Sequence, residues 1–130
     1  MIVGVGCDML KMSSIIEESL TDGSAFVKKV YTHEEQLQAA MHTNPNLYFK
    51  VHFCGKEAVC KTFRLNGNCV RLNEIEILND DNGAPYVNLY GALKSYAEKL
   101  DVSQIQVSLS YDGEYAMAYA IALAGRNQSC

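Results

Sequence analysis

The sequence predicts an α+β domain in which a mainly antiparallel sheet packs with a long central helix, and three observations carry that reading. The chain opens on an apolar run, MIVGVGC, patterned like a strand. Helix caps and helical spacing fill the middle of the chain. Beyond the Asn-Gly-Asn at 66–68 the apolar period shortens to two, and strands cluster toward the end.

Each element has its own signal. Residues 1–7 read as a strand ending at Asp8, where a charge interrupts the apolar run. Residues 13–31 mix short helical signals: SSIIEESL can open on a serine cap, and SAFVKKVY can follow the Asp22-Gly23 turn. Thr32 and Glu35 form the Thr-x-x-Glu capping box, which makes Thr32 the firmest helix start. Pro45 suits the first turn of a longer helix over about 45–64, closed by Asn-Gly-Asn at 66–68. NEIEILN alternates like a strand, and Asn82-Gly83 supplies the reversal into a short strand containing Pro85. LYGALKSYAEKL is amphipathic and helical, and SQIQVSLSY and EYAMAYAIAL flank Asp112-Gly113 as a β-hairpin. The order is β-α-α-α-β-β-α-β-β.

With 130 residues the chain fits one domain, placed at 1–124, with 125–130 as a frayed tail. Its start lacks a basic segment and holds Asp8, so it is a poor signal peptide, and no stretch approaches a membrane span. The five cysteines are odd in number and form no CxxC, as expected of reduced cytoplasmic thiols rather than a zinc site. Residues 1–64 hold seven Lys/Arg against seven Asp/Glu, and residues 65–130 four against eight. No clustered basic surface for nucleic acid is expected. Cations for an anionic ligand or acidic partner lie in the first half, mainly Lys28, Lys29, Lys50, Lys56, Lys61 and Arg64.

Two carboxylates stand out. Asp8 follows Gly4 and Gly6, whose bare backbone allows close approach by a ligand or another strand. Glu57 lies in FCGKEAVCK on a helix face that should be apolar. Taken singly, Asp8 reads as a turn cap and Glu57 as a partner for Lys61 in the favourable i,i+4 order. Taken together they can offer oxygen ligands to Mg²⁺, which uses one or two carboxylates plus phosphate oxygens and water. Lys56 and Lys61 would then offset phosphate charge. Ser110 lacks a GxSxG setting, Cys54 lacks a His/Asn context, and neither GxGxxG nor Walker A is present.

The ordered segments IVGVGCDML, FVKKVYTHEE, FCGKEAVCK, IEILNDDNGAPYV and VSLSYDGEYAMAYAI resemble the holo-[acyl-carrier-protein] synthases of the 4′-phosphopantetheinyl transferase superfamily. GxD, KEAxxK, GxP and SxS in that order are the specific part. The resemblance implies the fold of that superfamily in its small, single-domain, trimer-forming type. It also implies transfer of the 4′-phosphopantetheine arm of coenzyme A to a serine of an apo acyl carrier protein, releasing adenosine 3′,5′-bisphosphate with Mg²⁺. The alternative is a non-catalytic or regulatory homologue that binds coenzyme A or a carrier protein without transfer.

The resemblance also distributes roles. Metal-binding acids fall on Asp8 and Glu57, with Glu57 also able to take the serine proton and Lys61 to steady the leaving phosphate. Gly83 and Pro85 fall on the nucleotide-contact loop. His52, Lys56, Ser110 and Tyr111 are the other expected coenzyme A contacts. His52 stands where the family commonly has arginine and Tyr111 where it has histidine; Ser13 and Ser14 are the positions nearest to the family's carrier-facing arginine, which this chain lacks there and for which Lys28 and Lys29 can compensate. Active sites between subunits of a homotrimer are expected, with no nucleic acid or membrane partner, in the cytoplasm and in fatty acid biosynthesis or related lipid metabolism.

Overall fold

Strand β1 (Ile2–Lys11) runs along one edge of a three-stranded antiparallel sheet, beside β5 (Tyr115–Ala124) and with β4 (Val102–Asp112) beyond it. The computed structural model describes residues 1–65 and 71–125. After β1 come short 3₁₀ turns at Met12–Ser14 and Glu17–Leu20, then α1 (Ala25–Val30), α2 (His33–Met41) and α3 (Pro45–Lys61). A second, two-stranded sheet pairs β2 (Ile75–Asn79) with β3 (Pro85–Leu89). Helix α4 (Gly91–Lys99) leads to the long hairpin β4 (Val102–Asp112) and β5 (Tyr115–Ala124).

The helices begin where their caps stand. Ser24 accepts the Val27 amide at the head of α1. Thr32 and Glu35 close both halves of the capping box of α2. Asn44 caps α3, with Pro45 in its first turn. Ser13 and Ser14, in contrast, cap no helix and instead end the 3₁₀ turn Met12–Ser14, whose N-cap is Lys11. The reversal at Asn82-Gly83 forms as expected: the Asp80 carboxylate accepts the amides of Asn82 and Ala84, and Gly83 takes φ +83°.

Two boundaries differ from the sequence reading. Strand β1 continues past Asp8, because its register with β5 holds through Asp8↔Ala118 to Lys11↔Tyr115. Helix α3 stops at Lys61, ahead of Arg64 at φ +59°. The Asn-Gly-Asn at 66–68 and tail residues 126–130 lie outside the described residues.

The position of α3 follows from small residues beneath it. On β5, Ala116, Ala118, Ala120 and Ala122 all face inward and are buried, while Tyr115, Met117 and Tyr119 alternate outward and are exposed. On β1 a Cβ at Gly4 would stand 2.1 Å from the Thr62 carbonyl oxygen, and one at Gly6 would stand 2.0 Å from that of Ala58. The bare backbone of Gly-Val-Gly therefore admits the helix rather than a ligand. Cys54, fully buried, donates its thiol to the Asp8 backbone carbonyl at 3.4 Å and holds strand and helix together. Gly6→Ala is expected to cost about 1–3 kcal/mol by forcing this contact apart. Its thermal melt checks this, and an unchanged melting temperature would refute the close approach.

The outer edge of β2 is covered without a further strand. The Ile77 amide donates to Glu35 Oε2 at 2.7 Å, and the Asn79 amide donates to Gln38 Oε1 at 2.9 Å. Gln38 Nε2 donates to the Asn79 carbonyl, His52 Nδ1 to the Ile77 carbonyl, and Lys56 Nζ to the Ile75 carbonyl. Side chains of α2 and α3 thus satisfy the backbone groups that an open sheet edge would leave exposed.

Candidate active site

Asp8, Glu57 and Lys61 meet where β1 crosses the C-terminal half of α3. Glu57 and Lys61 stand one helical turn apart, and the glycines of β1 bring the strand close enough for Asp8 to join them. Lys61 Nζ donates to Asp8 Oδ1 at 3.0 Å and to the Cys7 carbonyl at 3.0 Å. The lysine therefore pairs with Asp8, and Glu57 forms no ion pair among the described residues.

The electrostatics follow from that choice. Burial pushes the half-buried Glu57 carboxyl above its usual range, the neighbouring Asp8 charge adds to the rise, and Lys61 opposes it. The Asp8 hydrogen bond holds the Lys61 ammonium above its ordinary value, so it keeps its charge at neutral pH. Two carboxylates sharing one lysine make a site short of positive charge. No cluster of three or more His, Cys, Asp or Glu side chains able to hold a metal occurs among the described residues. The donor set thus fits a hard divalent cation that takes two protein oxygens and leaves its other positions for phosphate and water.

Apart from that junction, a concavity of about 240 Å³ opens beside the N-terminal half of α3. It is lined by Tyr48 and His52 of α3, by Asn79, Gly83 and Pro85 of the β2–β3 hairpin, and by Leu109 and Tyr111 of β4. Four residues singled out in the sequence, His52, Gly83, Pro85 and Tyr111, are therefore brought together from three separate elements.

His52 is 3% exposed and stacks on Tyr48, with ring centroids 3.8 Å apart and planes 16° from parallel. Its Nδ1 lies 3.0 Å from the Ile77 carbonyl. Burial pulls its pKa down to about 4, against the Ile77 hydrogen bond and with help from the nearby Lys56 charge. His52 is neutral at physiological pH. Tyr48 was not among the sequence candidates, although its place one turn before His52 is the i,i+4 spacing of such a stack.

Two expected ligand contacts lie elsewhere. Lys56 is fully buried, 2.6 Å from the equally buried Glu35, and also donates to the carbonyls of Leu72 and Ile75. All three of its donor positions are occupied by protein, and it does not line the pocket. Ser110 is exposed on β4 and does not line the pocket, whereas its neighbours Leu109 and Tyr111 do, as strand alternation requires.

Comparison with known proteins bears on the family and the fold. A family model described as the 4′-phosphopantetheinyl transferase superfamily matches residues 4–120, and the chain belongs to that superfamily. Its branch is that of the holo-[acyl-carrier-protein] synthases. A protein of that name from Natranaerobius thermophilus is 37% identical over 121 residues, covering 93% of this chain and 97% of its own. Among solved structures, the Neisseria meningitidis holo-[acyl-carrier-protein] synthase superposes with a TM-score of 0.82 at 29% identity, covering 95% of this chain and 99% of its own. The Plasmodium yoelii acyl carrier protein synthase with ADP bound gives 0.85 at 29% identity, covering 97% and 98%. The α+β fold expected from the sequence is the fold of these enzymes. No helix among the described residues is long and apolar enough to cross a membrane.

Proposed function

We propose that the chain transfers the 4′-phosphopantetheine arm of coenzyme A to a serine hydroxyl of an apo acyl carrier protein and releases adenosine 3′,5′-bisphosphate. The observation that carries this is the junction of Asp8, Glu57 and Lys61, a charge-deficient carboxylate pair suited to a cation and a diphosphate, in a chain of this family. Asp8 and Glu57 are the residues that would hold Mg²⁺, which when bound offsets charge building on the diphosphate oxygens. Glu57, with its raised proton affinity, accepts the serine proton as the oxygen attacks phosphorus. The bond from that phosphorus to the bridging oxygen breaks, and Lys61 stabilises the charge on the departing phosphate.

The same helix supports an assembly of subunits. Positions 52 and 57 differ by five residues, which turns them about 140° apart around α3. The nucleoside pocket and the carboxylates therefore open on different sides of one chain, as expected if each active site combines halves from two copies of a homotrimer. An apolar sheet face is available for that contact: Val5 and Met9 of β1 and Tyr115, Met117 and Tyr119 of β5 are all exposed. Lys28 and Lys29, exposed in the last turn of α1, suit an acidic carrier protein. The free thiols of Cys7, Cys54 and Cys60 suit a reducing, cytoplasmic setting.

Incubation with coenzyme A, Mg²⁺ and a panel of apo carrier proteins tests the reading. Intact-mass spectrometry should show a phosphopantetheine adduct on at least one carrier. Coenzyme A binding without any adduct would replace the enzyme by a non-catalytic binder.

A further inference from the structure

Asp8 sits on an edge strand, with β5 as the ladder partner of β1 on one side only among the described residues, yet its carboxylate stands beside Glu57 on another element. Two donors of α3 account for that. The Cys54 thiol donates to the Asp8 carbonyl at 3.4 Å, and Lys61 Nζ donates to the Cys7 carbonyl at 3.0 Å. These carbonyls belong to the peptide units on either side of the Asp8 Cα. Each unit is planar, so tying both down fixes φ and ψ of Asp8 and with them the direction of its Cα–Cβ bond. Lys61 also takes Oδ1 at 3.0 Å, which leaves the side chain little freedom.

The two donors share a line on the helix. A separation of seven residues turns about 700°, which brings position 61 within about 20° of position 54, two turns further along. Glu57 lies between them, about one turn from each. The helix that carries one carboxylate therefore also grips the backbone of the other, and α3 sets where the two stand. Metal and catalytic constellations need such support, because a ligand displaced by more than about 0.5 Å no longer converges with its partner. Cys54 is fully buried within one chain, so its contact does not depend on assembly. From that place it touches neither phosphate nor serine, and it acts only through Asp8.

We propose that Cys54 is a positioning residue of the cation site, whose thiol, together with Lys61, clamps the Asp8 backbone so that the two carboxylates converge on one divalent cation. This deepens the reading of Asp8 and Glu57 as Mg²⁺ ligands and rests on it. A hydrogen-bond partner behind a metal ligand typically changes affinity by about 10–100-fold. A thiol is a weak donor, and here it acts on the ligand's backbone, so the effect belongs at the bottom of that range.

The Mg²⁺ dependence of the melting temperature, read on the full chain without coenzyme A, reports the affinity of the site apart from transfer. Cys54→Ala should weaken that affinity about five- to tenfold, and transfer should need correspondingly more Mg²⁺ while the KM for the carrier stays the same. Cys54→Ser keeps a donor at the same place and should return to within about twofold of wild type. Cys54→Val fills the space without a donor, should bind as weakly as the alanine variant, and replaces it where the cavity prevents folding. Val59→Ala, also buried on α3 but turned about 160° from Glu57, should lower the melting temperature and leave the Mg²⁺ affinity unchanged. Wild-type affinity in Cys54→Ala or Cys54→Val, no recovery in Cys54→Ser, or equal weakening in Val59→Ala would overturn the positioning role. A wild-type chain that does not respond to Mg²⁺ would remove the cation site itself and this role with it.

Discussion

Lys56→Met is expected to lower the stability of the fold by roughly 3–5 kcal/mol, or about 10–20 °C in melting temperature. The size comes from what the substitution leaves behind. Glu35 and Lys56 are both fully buried and 2.6 Å apart. Without the ammonium, Glu35 keeps only the amides of Thr32 and Ile77, and the carbonyls of Leu72 and Ile75 lose their donor. Burial already pushes Glu35 upward and Lys56 is the chief opposing charge, so the variant's Glu35 carboxyl rises further. A carboxyl raised in the folded state favours folding while protonated. Stability in Lys56→Met should therefore be greatest in acid and fall as pH rises from the ordinary carboxylate range through the raised folded value. Thermal melts at pH 5 and pH 8 check both parts. A variant as stable as wild type at pH 8 would show that the pair is dispensable. The double variant Glu35→Gln/Lys56→Met should recover part of the loss, since removing both charges leaves no unpaired ion.

That pair also marks the limit of what the sequence made legible. Local signals read well: the Thr32–Glu35 box, Pro45 at the start of α3, and the reversals at Gly83 and Gly113 all form as their chemistry requires. Lys56 did not, because a lysine beside a candidate metal-binding glutamate reads as a cation for the ligand's phosphates. Adjacent helix positions point about 100° apart, which turns Lys56 into the core and Glu57 toward β1. Its partner Glu35 already had a local explanation as half of a capping box, and nothing local shows that the same carboxylate also holds Ile77. Asp8 looked like the end of a strand because a charge in an apolar run reads as a boundary. The run in fact continues to Lys11, and the exposure of Asp8 is set by the crossing of α3. The charge state of His52 was equally hidden, since it is set by burial between elements far apart in the chain. Motif order placed the two half-sites on the chain, while tertiary contacts determined which lysine serves a site and which serves the fold.

Glu57→Gln is expected to separate stability from activity. In the metal-free protein Glu57 costs the fold something: it is half-buried, it faces Asp8, and Lys61 is committed to Asp8. Glutamine keeps the shape and removes that like-charge conflict, so the melting temperature without divalent cation should hold or rise. Transfer should fall by about 10²–10³ or more, because a charge acting on the transition state is lost. Mg²⁺ should raise the melting temperature of the wild-type chain and have much less effect on the variant, as binding to the folded state requires. Asp8→Asn should lose transfer similarly but differ in stability, since it also breaks the 3.0 Å contact with Lys61. That contact is largely exposed on the lysine side and worth little to the fold, so the loss should be small. Parallel melts with and without Mg²⁺, beside transfer assays on the same preparations, distinguish these outcomes. A Glu57→Gln variant that transfers at the wild-type rate would remove Glu57 from the chemistry. A variant that loses transfer but keeps the full Mg²⁺ response would leave Glu57 as a base and pass the cation to Asp8 alone.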